Sequence, residues 1–204
     1  MSRVFLGVED DLSAAVAAAI VREAVDEECE LIRLHAKRAR GFGQIKVNMP
    51  KYVDLAKKSP VFLLTDLDEQ ECPRALIVDW SGTTDLPPRL SFRVAVREVE
   101  AWVMADREGF AHFLGVSAAL FPMQLDTLTD PKSTLLDIAR RGKRSMRSEI
   151  IPAKGVKSRV GLGYNEVLSE FVIRSWSPGS ASNHSLSLRR SLDALAKMKP
   201  QWCQ

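Results

Sequence analysis

Five carboxylates stand where short apolar runs end: Glu9 after residues 3–8, Asp66 and Asp68 after 61–65, and Glu98 and Glu100 after 90–96. Each run reads as a β-strand, and in an open parallel sheet the groups that bind or react collect beyond the carboxyl ends of the strands. Carboxylate oxygens alone suit a hard divalent cation, Mg2+ or Mn2+, better than zinc. Two such ions can activate a water and stabilise the leaving oxygen of a phosphodiester. A sharp bend at Asp66-Leu67-Asp68 would let both aspartates face one ion. Each acid also has a structural reading. Asp11 could be the N-cap of the helix that follows it, and Asp66 or Asp68 the cap of the next helix. Glu100 could form a surface pair with Arg97, and Trp102 and Phe110 read as core.

The elements that must hold these acids alternate. A strand over 3–8, with Gly7 near its end, precedes an Ala-rich helix over 12–28 whose apolar positions, Leu12, Val16, Ala19, Ile20 and Ala24, follow helical spacing. A second strand is expected over 31–35 and a short helix over 48–58, with Pro50 near its start. The uninterrupted run Val61-Phe62-Leu63-Leu64-Thr65 reads as a central strand covered on both faces. A helix over 73–80, a Pro/Gly-rich turn over 82–88 and a strand over 90–96 follow. Beyond Arg97 only helices are expected, over 98–113, 131–141, 164–176 and 186–198. The pattern implies an α/β fold, a mostly parallel sheet flanked by helices with a helical C-terminal extension. An α/β core over 1–106 and an extension over 107–204 packed on it form one unit, since neither a repeat nor a long linker separates them.

Charge is segregated along the 204 residues more than the net +3 suggests. Residues 1–32 hold eight acidic and two basic side chains, and 66–108 hold ten acidic and five basic. Residues 33–58 hold eight basic side chains against Asp54 alone, and 132–159 nine against Asp137 and Glu149. Folded together, acidic blocks rimmed by basic ones make a metal centre with phosphate-binding charge around it. Lys37, Arg38 and Arg40 in one basic block, and Arg140, Arg141, Lys143, Arg144 and Arg147 in the other, are the candidates to grip a nucleic-acid backbone. The alternative reading is that these blocks are solvated helix faces.

Several classes are excluded. With 46% apolar and 27% charged residues the chain is neither disordered nor collagenous. Its longest apolar run, residues 14–21, is too short to span a bilayer, and the start lacks a signal-peptide pattern. Cys29, Cys72 and Cys203 form no CxxC pair, which fits a reducing, cytoplasmic setting rather than a disulfide framework or a thiolate zinc site. There is no phosphate-binding Gly-x-x-x-x-Gly-Lys-Ser/Thr loop for ATP hydrolysis, no Gly-x-Gly-x-x-Gly, no His-Glu-x-x-His and no Gly-x-Ser-x-Gly. His35, His112 and His184 are isolated.

An acid after the first strand followed by an apolar strand ending in Asp66-x-Asp68 resembles the TOPRIM domain of topoisomerases, primases and OLD-type nucleases. The stretch Arg97-Glu98-Val99-Glu100-Ala101-Trp102-Val103-Met104-Ala105-Asp106 is similar to the "EAW-LLAD" segment of the RloB-like, TOPRIM-type proteins of bacterial anti-phage defence loci. Asp130-Pro131-Lys132-Ser133-Thr134-Leu135 and Gly161-Leu162-Gly163-Tyr164-Asn165 resemble the same group. The resemblance implies a TOPRIM-like fold and a Mg2+- or Mn2+-dependent nuclease, the toxic effector of a defence system. Glu9, Asp66, Asp68 and Glu100 would hold metal, with Glu9 or Glu100 assisting the attacking water. Lys132 is either a catalytic group neutralising developing phosphate charge or an ordinary helix-start lysine. Many TOPRIM proteins carry Glu-Gly after the first strand, whereas Asp10 follows Glu9 here, and Gln70 stands where some members are acidic. The target, DNA or RNA, and the oligomeric state stay open. A large ATPase partner is implied by the family, and a non-catalytic subunit that binds nucleic acid or such a partner is the alternative.

Overall fold

A doubly covered strand needs helices on both of its faces, and the computed structural model supplies them. It describes residues 3–25, 29–34 and 43–202, the side chain of Gln201 excepted. Four strands, β1 (Arg3–Gly7), β2 (Glu30–Arg33), β3 (Val61–Asp66) and β4 (Leu90–Ala95), form one all-parallel sheet in the order β2-β1-β3-β4. Along β3, Phe62 and Leu64 enter the larger core, while Val61 and Leu63 enter the smaller one on the opposite face. The fold is therefore α/β with a parallel sheet between two helical layers.

The smaller layer holds α2 (Gln44–Ala56) and α3 (Pro73–Ser81), whose Ile45, Met49, Tyr52 and Leu76 meet the sheet. The larger layer begins with α1 (Asp11–Ala24), which buries Leu12, Val16 and Ile20. It continues through α4 (Val99–Ala105), α5 (Arg107–Leu114), α6 (Pro131–Ala139), α7 (Arg144–Ile150), α8 (Tyr164–Arg174), α9 (Pro178–Ala181) and α10 (Leu186–Trp202). Helix α1 lies against α8 and α10, and α10 also meets β4. Ile20, Trp102, Phe110, Phe171 and Leu195 thus share one core, which runs continuously across position 106. No helix among the described residues is long and apolar enough to cross a membrane.

Several elements differ from the sequence expectation. Asp10, not Asp11, caps α1, its carboxylate accepting from the Ser13 N–H at 2.7 Å. Helix α1 ends at Ala24, and residues 26–28 of the expected helix lie outside the described residues. Helix α2 starts at Gln44, four residues early, so Pro50 lies inside it. The single helix expected over 98–113 divides at Asp106. That side chain accepts from the Gly109 N–H to start α5 and from the Ser177 N–H at 3.0 Å, which draws the backbone out of helical geometry. The sequence reading assigned no helix to α7 or α9, and α10 runs past residue 198 to Trp202, whose buried ring anchors it.

Candidate functional site: an acidic centre at the ends of β1, β3 and β4

The chain moves from β1 to β2 on one side and to β3 on the other, so a topological switch lies between β1 and β3, where α/β sheets open a crevice beyond their carboxyl ends. Glu9 enters this crevice from the β1–α1 loop. Its Oε1 accepts from the Thr65 hydroxyl at 2.5 Å, which ties the loop to the last turn of β3. Gly7 lets β1 reach this point, because a Cβ there would come within 2.5 Å of the Leu63 side chain.

At Asp66 the chain leaves β3 and bends. Asp68 has φ +48°, in the left-handed region that Asp tolerates better than most residues, and its N–H donates to Arg97 O at 3.0 Å. Arg97 Nη1 in turn donates to the carbonyls of Asp68 and Gln70, both at 2.9 Å. The chain bends at Asp66-Leu67-Asp68 rather than continuing as regular strand, and Arg97 holds the bend closed.

The structural roles of these acids differ from those expected. Cys72, not Asp66 or Asp68, caps α3. Asp66 Oδ1 instead accepts from the Val99 N–H at 2.8 Å, at the start of α4. Glu100 does not pair with Arg97 at the surface. It is 3% exposed, and its Oε1 lies 3.0 Å from the Tyr164 hydroxyl, which donates to it, and 3.3 Å from Lys132 Nζ. Glu98 accepts from the Lys132 backbone N–H at 2.9 Å and from its ammonium at 3.3 Å, so it satisfies a free N–H in the first turn of α6, which Asp130 caps, as well as pairing with the lysine. Lys132 is thus both a helix-start lysine and the cation of the centre. Trp102 and Phe110 are core, as read from the sequence.

Crowding and burial set the electrostatics. Burial raises the Glu9 carboxyl above its ordinary value, with Asp68 and Asp10 adding to the rise and the Thr65 hydrogen bond opposing it. Asp66 is held well above the usual range by burial and then by the charges of Glu100 and Asp68. Asp68 is raised by burial and by Glu98, against the pull of Lys132. Glu100 is also raised by burial, Lys132 opposing. Burial pulls Lys132 down, but Glu100 and Glu98 more than reverse it and hold the ammonium above its ordinary value. Glu100 Oε2 is buried without a hydrogen-bond partner.

Among the described residues, no three His, Cys, Asp or Glu side chains form a ready-made chelating group. Glu9, Asp66 and Glu100 are each engaged on one oxygen, by Thr65, Val99 and Tyr164 respectively. The donor chemistry nonetheless fits a hard divalent cation: the oxygens are all carboxylate, the acids repel one another, and one buried oxygen has no partner. Closing on an ion takes rotation of these side chains.

The basic candidates fall outside the centre. Arg140, Arg141, Lys143, Arg144 and Arg147 are exposed at the carboxyl end of α6 and on α7, with Arg140 paired to Asp137. Lys132 is at the other end of α6, whose nine residues make about 13 Å. Lys37, Arg38 and Arg40 lie outside the described residues. Thr65 and Tyr164 are site residues that sequence reasoning missed. Two glycines could have pointed to Tyr164, because a Cβ at Gly161 would lie 2.0 Å from Glu149 O and one at Gly163 would lie 2.5 Å from Glu149 Oε2, pinning the turn before it.

Comparison with protein-family models, with curated proteins and with solved structures finds no match.

Proposed function

We propose that this protein is a Mg2+- or Mn2+-dependent nuclease with a TOPRIM-like centre. The observation that carries the reading is the buried, partnerless Oε2 of Glu100, set among carboxylates that burial and their mutual charge push toward the protonated form. Glu9, Asp66, Asp68 and Glu100 are the residues that would hold it. When bound, the ion supplies an acidified water and stabilises charge on the leaving oxygen of a phosphodiester. Glu9 or Glu100 would orient the attacking water and take its proton. Lys132 offsets negative charge growing on the phosphate, and the arginines at the end of α6 and on α7 grip the backbone without reading sequence. The sequence resemblance to RloB-like proteins supports a role as the toxic effector of an anti-phage system. Because the chain has no phosphate-binding ATPase loop, a separate ATPase partner would supply the trigger.

One observation favours a second reading. The Lys132 ammonium already lies between Glu98 and Glu100 as a built-in cation, as it would in a non-catalytic subunit that binds nucleic acid or a partner. Cleavage of plasmid DNA and bulk transfer RNA by the purified protein with Mn2+, beside Asp68→Ala, separates the two. Cleavage by the wild type alone establishes the nuclease and names its substrate. No cleavage, together with Mn2+ affinity indifferent to Asp68→Ala, establishes the binding subunit.

A further inference from the structure

Taking a guanidinium out of water without a counter-charge costs free energy, and Arg93 of β4 is such a group. It is half-buried, and its Nε donates to Ser91 Oγ at 3.0 Å. Both Nη groups are without a protein partner among the described residues. Burial pulls the Arg93 pKa down, and no carboxylate stands near enough to oppose it. No acid among the described residues pairs with Arg74 or Arg190 either.

Helices α3 and α10 both pack against β4. Between them lies a hollow of about 320 Å3, lined by Ile77 of α3, Phe92 and Arg93 of β4, and Ser187 and Arg190 of α10. A second, of about 470 Å3, shares Pro73, Ile77, Phe92 and Arg93 and adds Arg74 and Thr84. Arg93 therefore stands where the two meet, and each is of the size that takes a small molecule. Arg74, Leu186 and Arg190 are exposed and form the rim. Asp126 is the carboxylate in the lining, and it is already engaged, accepting from the Ser185 hydroxyl and the Ser187 N–H, each at 2.6 Å.

We propose that the hollow between α3 and α10 binds a nucleoside monophosphate, its phosphate on Arg93 and its base against the apolar wall. The free Nη pair of Arg93 matches two phosphate oxygens, and Arg190 or Arg74 at the rim meets the second charge of the dianion. Three guanidiniums exceed what a single carboxylate would neutralise, which favours the phosphate. Pro73, Ile77 and Phe92 offer a flat ring apolar surface, and the hydroxyls of Thr84, Ser187 and Ser191 are within the lining for the sugar and the polar edge of the ring. Inorganic phosphate would leave the apolar wall uncovered, and a neutral nucleoside would leave Arg93 without a counter-charge. The hollow shares no residue with the acidic centre, so the proposal does not depend on nuclease activity.

The test is isothermal titration of the metal-free protein with each of the common ribonucleoside monophosphates, with the matching nucleosides and with inorganic phosphate. Wild type is compared with Arg93→Gln, Arg190→Glu and Asp68→Ala, each shown to be folded by circular dichroism. At least one monophosphate should bind wild type and Asp68→Ala alike, about tenfold or more tighter than its nucleoside or inorganic phosphate. Arg93→Gln and Arg190→Glu should each weaken that binding about tenfold. Arg190 is on the surface, so its variant decides the matter if Arg93→Gln does not fold. Absence of binding by every monophosphate at millimolar concentration, equal binding of the nucleoside or of inorganic phosphate, or indifference to Arg190→Glu overturns the proposal. So does loss of binding in Asp68→Ala, which would give the nucleotide to the acidic centre.

Discussion

The Tyr164 hydroxyl donates to Glu100 Oε1 at 3.0 Å across a separation of 64 residues, and through this bond α8 reaches the acidic centre. Tyr164→Phe keeps the ring's packing and removes the donor. Deleting a buried hydrogen bond to a carboxylate costs about 1–2 kcal/mol, which for a chain of this size lowers Tm by about 3–6 °C. Calorimetry checks this. An unchanged Tm would mean that Glu100 finds another donor when Tyr164 loses its hydroxyl.

Lys132→Ala removes the ammonium between Glu98 and Glu100. Because its side chain is 28% exposed, the loss is set below that of a fully buried pair, at about 2 kcal/mol. Mn2+ is expected to raise the Tm of this variant more than that of the wild type, since the ion then replaces a lost charge. Thermal melts with and without Mn2+ decide it, and equal shifts would separate Lys132 from the cation site.

Arg97 acts through the loop it clamps. Arg97→Ala frees the carbonyls of Asp68 and Gln70, loosens the placement of the Asp68 carboxylate and should weaken Mn2+ binding about tenfold. Isothermal titration measures it. Unaltered affinity would mean that the left-handed turn at Asp68 holds its shape without the clamp.

Folding raises Glu9, Asp66, Asp68 and Glu100 above their ordinary carboxylate values, with burial the leading cause. The folded chain therefore keeps these protons to higher pH than the unfolded chain, and stability is lost as pH rises through the raised values. These four groups should make the metal-free protein melt higher near pH 5.5 than near pH 8. Each of Asp66→Asn and Glu100→Gln should reduce that slope. Saturating Mn2+ should flatten it, since metal binds the ionised carboxylate. A pH slope unchanged in both variants would show that other groups set it.

On the proposed reading, the exposed arginines on α7 hold the nucleic-acid backbone. If each of Arg144 and Arg147 contacts one phosphate, changing both to Ala should weaken binding to mixed-sequence duplex DNA. It should also make the slope of log K against log salt shallower by about 0.9 per contact. Fluorescence anisotropy at several salt concentrations measures this, and an unchanged slope would remove α7 from the interface.

Local pattern determined the element types. The apolar run at 61–65 reads as a doubly covered strand because both of its faces must be buried, and the structure places alternate residues in two cores. The acids after β1, β3 and β4 were readable for the same reason, since a strand's end is marked in its own residues. The break at Asp106 and the early start of α2 were not, because each depends on a partner or a preceding turn outside the helical pattern.

Chemistry at the centre was decided by tertiary structure. The amino-acid sequence named Glu9, Asp66, Asp68, Glu100 and Lys132, but only the strand order sets Glu9 beside Thr65, and only the seating of α6 and α8 on α4 gives Glu100 its lysine and tyrosine. Those contacts join segments tens of residues apart, and no periodicity within either segment encodes the other's position. Which strand ends the sheet is likewise a property of the whole chain packing. β4 carries Ser91 and Arg93 where β3 is uninterrupted apolar, yet neither residue says which place in the sheet the strand takes.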